Sequence, residues 1–423
     1  MENQTNVTCE ELSESQVAFF RSFSWWMETF FYLLVGIVGL MLNLIAMWIL
    51  LTPTLWNNIF NRLLMFLAAT DSAFIVCGIL EIFRKWMEWS IQQYLFVKFL
   101  YPFRSMAMCC SIYATVVLTL ERYQAITSPI QHKNRGTSVT LGKRLLIYVL
   151  PVMLFSFAYY IPKFFDLDVK EVTKCQANTS DASNITTLDT IASSNCTTTH
   201  IIYPTRLRTD PEYILWYINT SNLVVTCLLP ISLLTFMNCR IGSSLNKFLQ
   251  RRPSSMHADG SAKSKAGAQQ NKTNSDIKKT FMLFSIVILF VVCHALRIML
   301  NITELVNLER INLERQRGCD GTKFWQYVCM SLSEFLLLFK SSANFFVYMF
   351  FDKVIQKILR ERLCYMKSYF QCGSSHLETE TMPIPQLRVS VPVPRENATR
   401  ASDIELHTMN SKGTSNETEL TAV

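Results

Sequence analysis

The sequence predicts an all-α membrane protein: a seven-transmembrane helix bundle with a short amphipathic helix after the last span. Three observations predict it. Half of the 423 residues are hydrophobic and only 17% are charged, against roughly 25% charged in soluble globular domains. Mean hydropathy is +0.20. Seven apolar stretches each reach the roughly 20 residues that a helix needs to cross a bilayer. This composition excludes a largely disordered chain, which lacks the apolar surface to fold, and argues against an ordinary soluble enzyme. The formal charge is +8, but the basic residues cluster beside the apolar runs. There they read as topology signals, not as a nucleic-acid surface. Thirteen cysteines are too few for a disulfide scaffold.

Phe30–Leu51 is an uninterrupted span. Asn61–Phe83 is apolar but holds Asp71, and Phe96–Ile126 ends in charges. Leu141–Pro162 and Tyr213–Met237 follow. Phe281–Ile302 carries His294 and Arg297, and Phe324–Phe351 carries Glu334 and Lys340. No cleavable leader is apparent, so the first span is expected to act as the insertion signal. Lys133, Arg135, Lys143 and Arg144 follow span three, a basic run from Arg240 to Lys279 follows span five, and Lys353 to Lys367 follow span seven. That common side is cytoplasmic by the positive-inside rule. Segment 1–28 is acidic and is expected outside as a glycosylated N-terminus. The acceptor pattern Asn-x-Ser/Thr at Asn3, Asn6, Asn178, Asn184 and Asn195 falls on the same outer side.

The bundle is expected over 29–350, with a long second outer loop at 164–211. The Ser-, Lys- and Gln-rich inner loop at 243–276 reads as disordered. Residues 351–364 place Val354, Ile355, Ile358 and Leu359 opposite Lys357, Arg360 and Arg362, which suits a helix lying on the membrane surface. Cys364 and Cys372 beside it are palmitoylation candidates. The tail 365–423 mixes Ser, Thr, Pro and Glu and reads as disordered. Its last residues, Thr421-Ala422-Val423, fit strand addition to a PDZ groove.

A charge inside a bilayer costs a few kcal/mol or more, so each one is a functional candidate. The plainer reading is a buried pair that only fixes helix packing. Glu81, Arg104, Arg297, Glu304 and Glu334 fall in the outer half and form the candidate ligand-binding set. Glu81 and Glu334 are expected to receive the guanidinium of a peptide arginine, a strong bidentate pairing. Arg104 is expected on Glu334 in the free protein. Buried Asp71 demands a cation or a proton, and the ammonium of Lys340 is the expected partner. The outer cysteines Cys9, Cys175, Cys196 and Cys319 allow three pairings. Expected are Cys175–Cys196, closing a short loop, and Cys9–Cys319, joining the N-terminus to the third outer loop. No cofactor and no metal is expected: the six histidines form no metal-spaced cluster, and the His-Glu-x-x-His and Gly-x-Ser-x-Gly patterns of enzymes do not occur.

Several motifs narrow the reading. Glu121-Arg122-Tyr123 closes span three, with Pro129 beyond it. Asn43, Leu67-Ala68-Ala69-Thr70-Asp71, Pro230 and Asn344-Phe345-Phe346-Val347-Tyr348 recur in order along the chain. Over about residues 30–364 the chain resembles a rhodopsin-like (class A) G-protein-coupled receptor. Tyr160 to Asp166, Tyr203 to Tyr213, and Cys293 with Arg297 further resemble invertebrate FMRFamide-type neuropeptide receptors. The resemblance implies a plasma-membrane receptor for an amidated peptide ligand, with a heterotrimeric G protein and arrestin as inner partners. It implies an activation switch at Glu121, Arg122, Tyr123, Asn344 and Tyr348. It maps Asn43, Asp71, Ser111, Ser341 and Asn344 onto a polar cluster that often holds sodium. Lys340 stands there in place of Asn, so sodium is not expected to modulate this protein. The chain departs from the family pattern at Val97, where an outer cysteine is usual, at Phe345 in place of Pro, and at His294 and Leu296 in place of Trp and Pro. The alternatives are a receptor for a different peptide or small ligand and, further off, a transporter or channel, for which the internal repeats are missing.

Overall fold

The computed structural model describes residues 12–86, 90–132, 140–176, 195–250, 260–317, 319 and 321–372. Seven helices among them are long and apolar enough to cross a membrane: Glu14–Leu50, Ile59–Arg84, Ile91–Thr127, Leu141–Phe165, Pro211–Ser244, Ile277–Val306 and Phe324–Phe351. They are called spans one to seven. Half of the most apolar window of spans two and seven is buried inside the protein, but only 17% of that of span four. Spans two and seven are therefore central. Span four turns Leu146, Ile147, Leu150, Met153, Leu154 and Phe157 outward, which is stable only against lipid.

One apolar cluster joins spans one, two, three, six and seven through Ile49, Leu63, Leu118, Ile286 and Tyr348. A second joins spans three, five and six through Ile112, Leu234 and Phe290. Close approach depends on two glycines. A Cβ on Gly39 would collide with Ser342 of span seven, and one on Gly78 with the Tyr32 hydroxyl of span one. Where proline interrupts a helix, it removes a hydrogen bond and crowds the carbonyl four residues back. A wide, five-residue turn at Val224–Leu228 precedes Pro230 and absorbs this conflict. With Leu296 in place of proline, the helix bearing span six runs unbroken from Gly260 to Val306.

Three expected boundaries are corrected, and two outer loops carry structure of their own. The N-terminal segment does not stay separate up to residue 28. A helix starts at Glu14, capped by Ser13, whose side chain and backbone exchange hydrogen bonds with Gln16 at 3.3 and 3.1 Å, a reciprocal cap that stabilises a helix start. The second outer loop contains a hairpin, β1 (Leu167–Gln176) and β2 (Asn195–Pro204), antiparallel with Leu167 opposite Pro204 and Gln176 opposite Asn195. Its Val, Thr and Ile residues favour strands. The inner loop is shorter than 243–276, because helix continues to Gln250 and resumes at Gly260, over Ala, Lys and Gln, which are good helix formers. The third outer loop holds a further helix, Leu308–Gln316. The surface helix runs from Lys353 to Cys372, not to 364.

By its internal contacts the chain divides into Met1–Lys367 and Ser368–Val423. The described part of the second unit is the helix end that stops at Cys372. The rest of the tail, including Thr421-Ala422-Val423, lies outside the described residues.

Gly39→Leu is expected to destabilise the bundle by about 1–3 kcal/mol, the usual cost of overpacking, and to lower the thermal midpoint of the detergent-solubilised protein. Gly142→Leu is the control, because nothing lies within 4 Å of a Cβ at Gly142. An unchanged midpoint for Gly39→Leu would show that span seven can give way there.

Candidate functional site

Charged and polar residues gather at three depths. At the inner end, Glu121 is 2% exposed and Arg122 is 7% exposed. The Glu121 carboxylate lies 3.5 Å from Arg122 Nε and 3.1 Å from His132 Nε2. Arg144 Nη2 of span four approaches it at 3.9 Å and also contacts the His132 ring. The Arg122 guanidinium lies over the Phe60 ring, 3.7 Å from its centroid. His132 and Arg144 were not singled out from the sequence. Arg144 was read there only as a topology charge.

At mid-depth, Asp71 is fully buried. Ser111 Oγ donates to its Oδ1 at 2.5 Å, and Asn344 Nδ2 donates to its Oδ2 at 2.6 Å. The Lys340 ammonium lies 3.3 Å from Oδ1 and donates to Ser111 Oγ at 2.5 Å. Asn43 Nδ2 donates to the Ser341 carbonyl at 3.0 Å. Thus Asn344 lies in the polar cluster onto which the family resemblance maps it, and not with Glu121 and Arg122, beside which the resemblance also named it as part of the activation switch. Tyr348, one turn further in, is also buried.

In the outer half, Arg104 Nη2 meets Glu334 Oε2 at 2.6 Å, and Arg104 Nη1 meets Glu81 Oε2 at 3.3 Å. Arg297 Nη1 meets Glu334 Oε1 at 3.1 Å. Two guanidiniums and two carboxylates therefore tie spans two, three, six and seven together. The Glu334 side chain keeps 38% exposure, the largest of the four. Glu304 stands apart from them. It lines two neighbouring cavities, one of about 520 Å³ and one of about 240 Å³, which share Arg208, Ile218 and Glu304. The smaller cavity is also lined by Tyr159, Tyr160, Lys163, Tyr217 and Arg297.

The sequence reading missed the anchor beside this cavity. Asp166 is fully buried and accepts from Tyr213 at 2.6 Å and from Tyr101 at 3.4 Å. Lys163 Nζ donates to the same Tyr101 hydroxyl at 3.2 Å. The signal was present, since Lys163, Asp166 and Tyr213 lie in the two segments flanking the second outer loop. What was missing was that those segments meet.

The family model described as 7 transmembrane receptor (rhodopsin family) matches residues 42–348, from span one to the end of span seven. The chain belongs to the rhodopsin family of seven-transmembrane receptors. Its members are receptors, not enzymes. Among characterised proteins, the chain is similar to the FMRFamide receptor of Drosophila melanogaster, 26% identical over 337 residues, covering 77% of this chain and 51% of the fly protein. It is also similar to the FMRFamide peptide receptor frpr-18 of Caenorhabditis elegans, 22% identical over 367 residues, covering 83% of this chain and 73% of the worm protein. A shorter match, 27% identical over 147 residues, is to the Mas-related G-protein coupled receptor member A6 of Mus musculus, covering 34% of this chain and 48% of the mouse protein. The chain spans about half the length of the fly receptor and of the mouse one.

This receptor departs from the family pattern at Val97, which is buried. Its outer cysteines are arranged differently. In the hairpin, Cys175 and Cys196 stand directly opposite each other, and facing residues of an antiparallel pair lie within the Cα separation that a disulfide spans. Cys319 is disulfide-bonded. Cys9, the partner expected for it, lies outside the described residues, as do Asn3, Asn6, Asn178 and Asn184. Asn195 opens β2, and Cys364 is exposed on the surface helix.

The hairpin is tied to span three by Lys98 and Asp168 at 3.3 Å. The backbone N–H of Val169 and then Lys98 hold the Asp168 carboxyl below its ordinary 3.8. A depressed carboxyl stabilises above its unfolded value, and the gain is lost as pH falls through the folded one. Hydrogen exchange across residues 167–173, corrected for intrinsic rates, is therefore expected to rise in the wild type as pH drops below 3.8. Asp168→Asn should show no such step.

Removing one partner of a buried ion pair costs about 3–5 kcal/mol. Lys340→Met is therefore expected to lose most folded receptor, and Asp71→Asn in the same chain to restore much of it. Replacing sodium by N-methylglucamine at fixed ionic strength is expected to leave the wild-type thermal midpoint unchanged. A saturable sodium-dependent rise would mean that the ammonium does not fill the cluster.

Proposed function

We propose that this protein is a plasma-membrane receptor for an extracellular amidated peptide of the FMRFamide type, signalling through heterotrimeric G proteins. The observation that carries the reading is the outer charge network set beside two adjoining cavities. The similarity to two receptors named for FMRFamide supports the ligand class. The basic residues at the ends of spans three, five and seven support an outside N-terminus and an inside C-terminus.

The network gives the ligand a way to act. Glu81 and Glu334 are already paired in the free receptor, so a peptide guanidinium binds by exchange. At Glu334 it competes with Arg297 for Oε1. Winning that contact breaks the ion pair between spans six and seven and leaves their apolar packing in place. The helix is continuous from Arg297 to its inner end, a distance of about 30 Å from Arg297 to Ile277 at 1.5 Å per residue. A shift at the outer end therefore reaches the inner face as a rigid displacement. The ligand acts by favouring one arrangement of the helices over another. At the inner face, Glu121 and Arg122 form the switch that meets the G protein, with Tyr123 beside them. Arrestin at the tail, a PDZ protein at Thr421-Ala422-Val423 and palmitoylation of Cys364 and Cys372 complete the proposed inner partners and modifications.

The test expresses the receptor with a promiscuous Gα and a calcium reporter, and applies amidated peptides ending in Arg-Phe beside controls lacking Arg. A dose-dependent response to the Arg-Phe set is expected. Glu334→Gln, at equal surface expression, should raise the half-maximal concentration about tenfold or more, the scale of a charged hydrogen bond worth about 1.5–3 kcal/mol. Glu81→Gln should act in the same direction. Silence of a receptor shown to be at the surface would remove the peptide assignment and leave the family assignment standing.

A further inference from the structure

The smaller cavity has a marked excess of hydrogen-bond donors. Asn219 is 2% exposed, and its Nδ2 has no partner. Asn301 Nδ2 and Arg297 Nε are likewise buried without partners. All three residues line the cavity. A buried donor left unpaired costs about 1–3 kcal/mol, so three of them among the lining residues mark a place built for an acceptor.

The charges agree. Lys163, Arg208 and Arg297 line this cavity against one lining carboxylate, Glu304. Arg297 also serves Glu334 through Nη1. Among the described residues, neither Lys163 nor Arg208 has a carboxylate within ion-pair distance. Lys163 instead meets the Tyr101 hydroxyl and lies 4.6 Å from the Tyr101 ring centroid. The nearby Asp166 is taken up by two phenols, Tyr101 and Tyr213. An unpaired cation in a partly dry cavity attracts an anion strongly.

We propose that this cavity is a recognition site for a carboxylate of the ligand, held by Lys163 and Arg208 and capped by the amide N–H groups of Asn219 and Asn301. At 240 Å³ it is smaller than the sites of drug-sized molecules and takes one acidic side chain. The 520 Å³ cavity beyond Arg208 and Glu304 holds the flanking residues. The ligand then carries both signs of charge: a cation for Glu334 and a carboxylate for Lys163 and Arg208. This deepens the peptide reading above, but the site is defined by its own donors.

The test needs no agonist. Full-length receptor in nanodiscs is titrated with N-acetylaspartate amide, which offers a side-chain carboxylate, and with N-acetylglycine, which offers a terminal one. N-acetylasparagine amide is the neutral control, and sodium chloride holds the ionic strength constant. A ligand that binds only the folded state raises the thermal midpoint with concentration. A saturable rise is expected with the side-chain carboxylate of N-acetylaspartate amide; a rise with N-acetylglycine alone would mark a site for a free chain end, which an amidated peptide lacks, and would overturn the proposal. The neutral amide should give none. In Lys163→Gln/Arg208→Gln the concentration needed should rise about tenfold or more, whereas Lys163→Arg should keep it. If the double variant does not fold, Lys163→Gln alone is read the same way. Equal rises with the neutral probe, an unchanged response in the Gln variants, or no rise with either carboxylate would overturn the proposal. Because no signalling is read, failure here leaves the peptide assay unaffected, and failure of the peptide assay leaves this result standing.

Discussion

A charge placed between membrane-spanning helices must be neutralised where it stands, because lipid offers no solvent and the protein interior little. Asp71 imposes that constraint at the centre of this receptor. Its carboxylate receives Ser111 from span three, and Lys340 with Asn344 from span seven. Asn43 adds span one through the Ser341 carbonyl. Each bond fixes the rotation of the helix that supplies it. Four of the seven spans are thereby set about one fully buried carboxylate, and Gly39 lets spans one and seven approach closely enough for Asn43 to reach.

The outer network repeats this logic nearer to water. Two arginines and two glutamates cancel, but Glu334 keeps 38% exposure where Asp71 keeps none. A sealed pair holds helices together in every state. An accessible pair of the same chemistry can exchange partners. Depth thus separates the sealed pair at Asp71 from the accessible one at Glu334.

Span six is held differently. Its Arg297 forms an ion pair with Glu334 of span seven at 3.1 Å. Buried His294 bonds within its own helix, Nδ1 to the Phe290 carbonyl at 2.9 Å, and packs on the Phe290 ring. Where proline would have removed a backbone hydrogen bond, Leu296 leaves the helix continuous. Apolar packing through Ile286 and Phe290 holds the rest of the helix against its neighbours.

How much could be read beforehand follows from the range of each cause. Apolar length, flanking lysines and arginines, and lone charges inside apolar runs are properties of the chain itself. The seven spans, the family and the demand of Asp71 for a cation were therefore legible in the sequence, as was the pairing of Arg104 with Glu334. Partner choice was not, because it depends on which helix faces meet. Only the folded bundle put Arg297 on Glu334 and set Glu304 apart beside Arg208. It also brought His132 and Arg144 to Glu121, and joined Lys163 and Asp166 to Tyr101 and Tyr213 across segments read separately. The hairpin escaped notice because its strands stabilise each other only when paired. The sequence by itself determined where the chain crosses the membrane and which charges it must bury. The tertiary structure decided which charges cancel and which donors remain free, because the helix rotations that settle those contacts are fixed by packing between residues far apart in the chain.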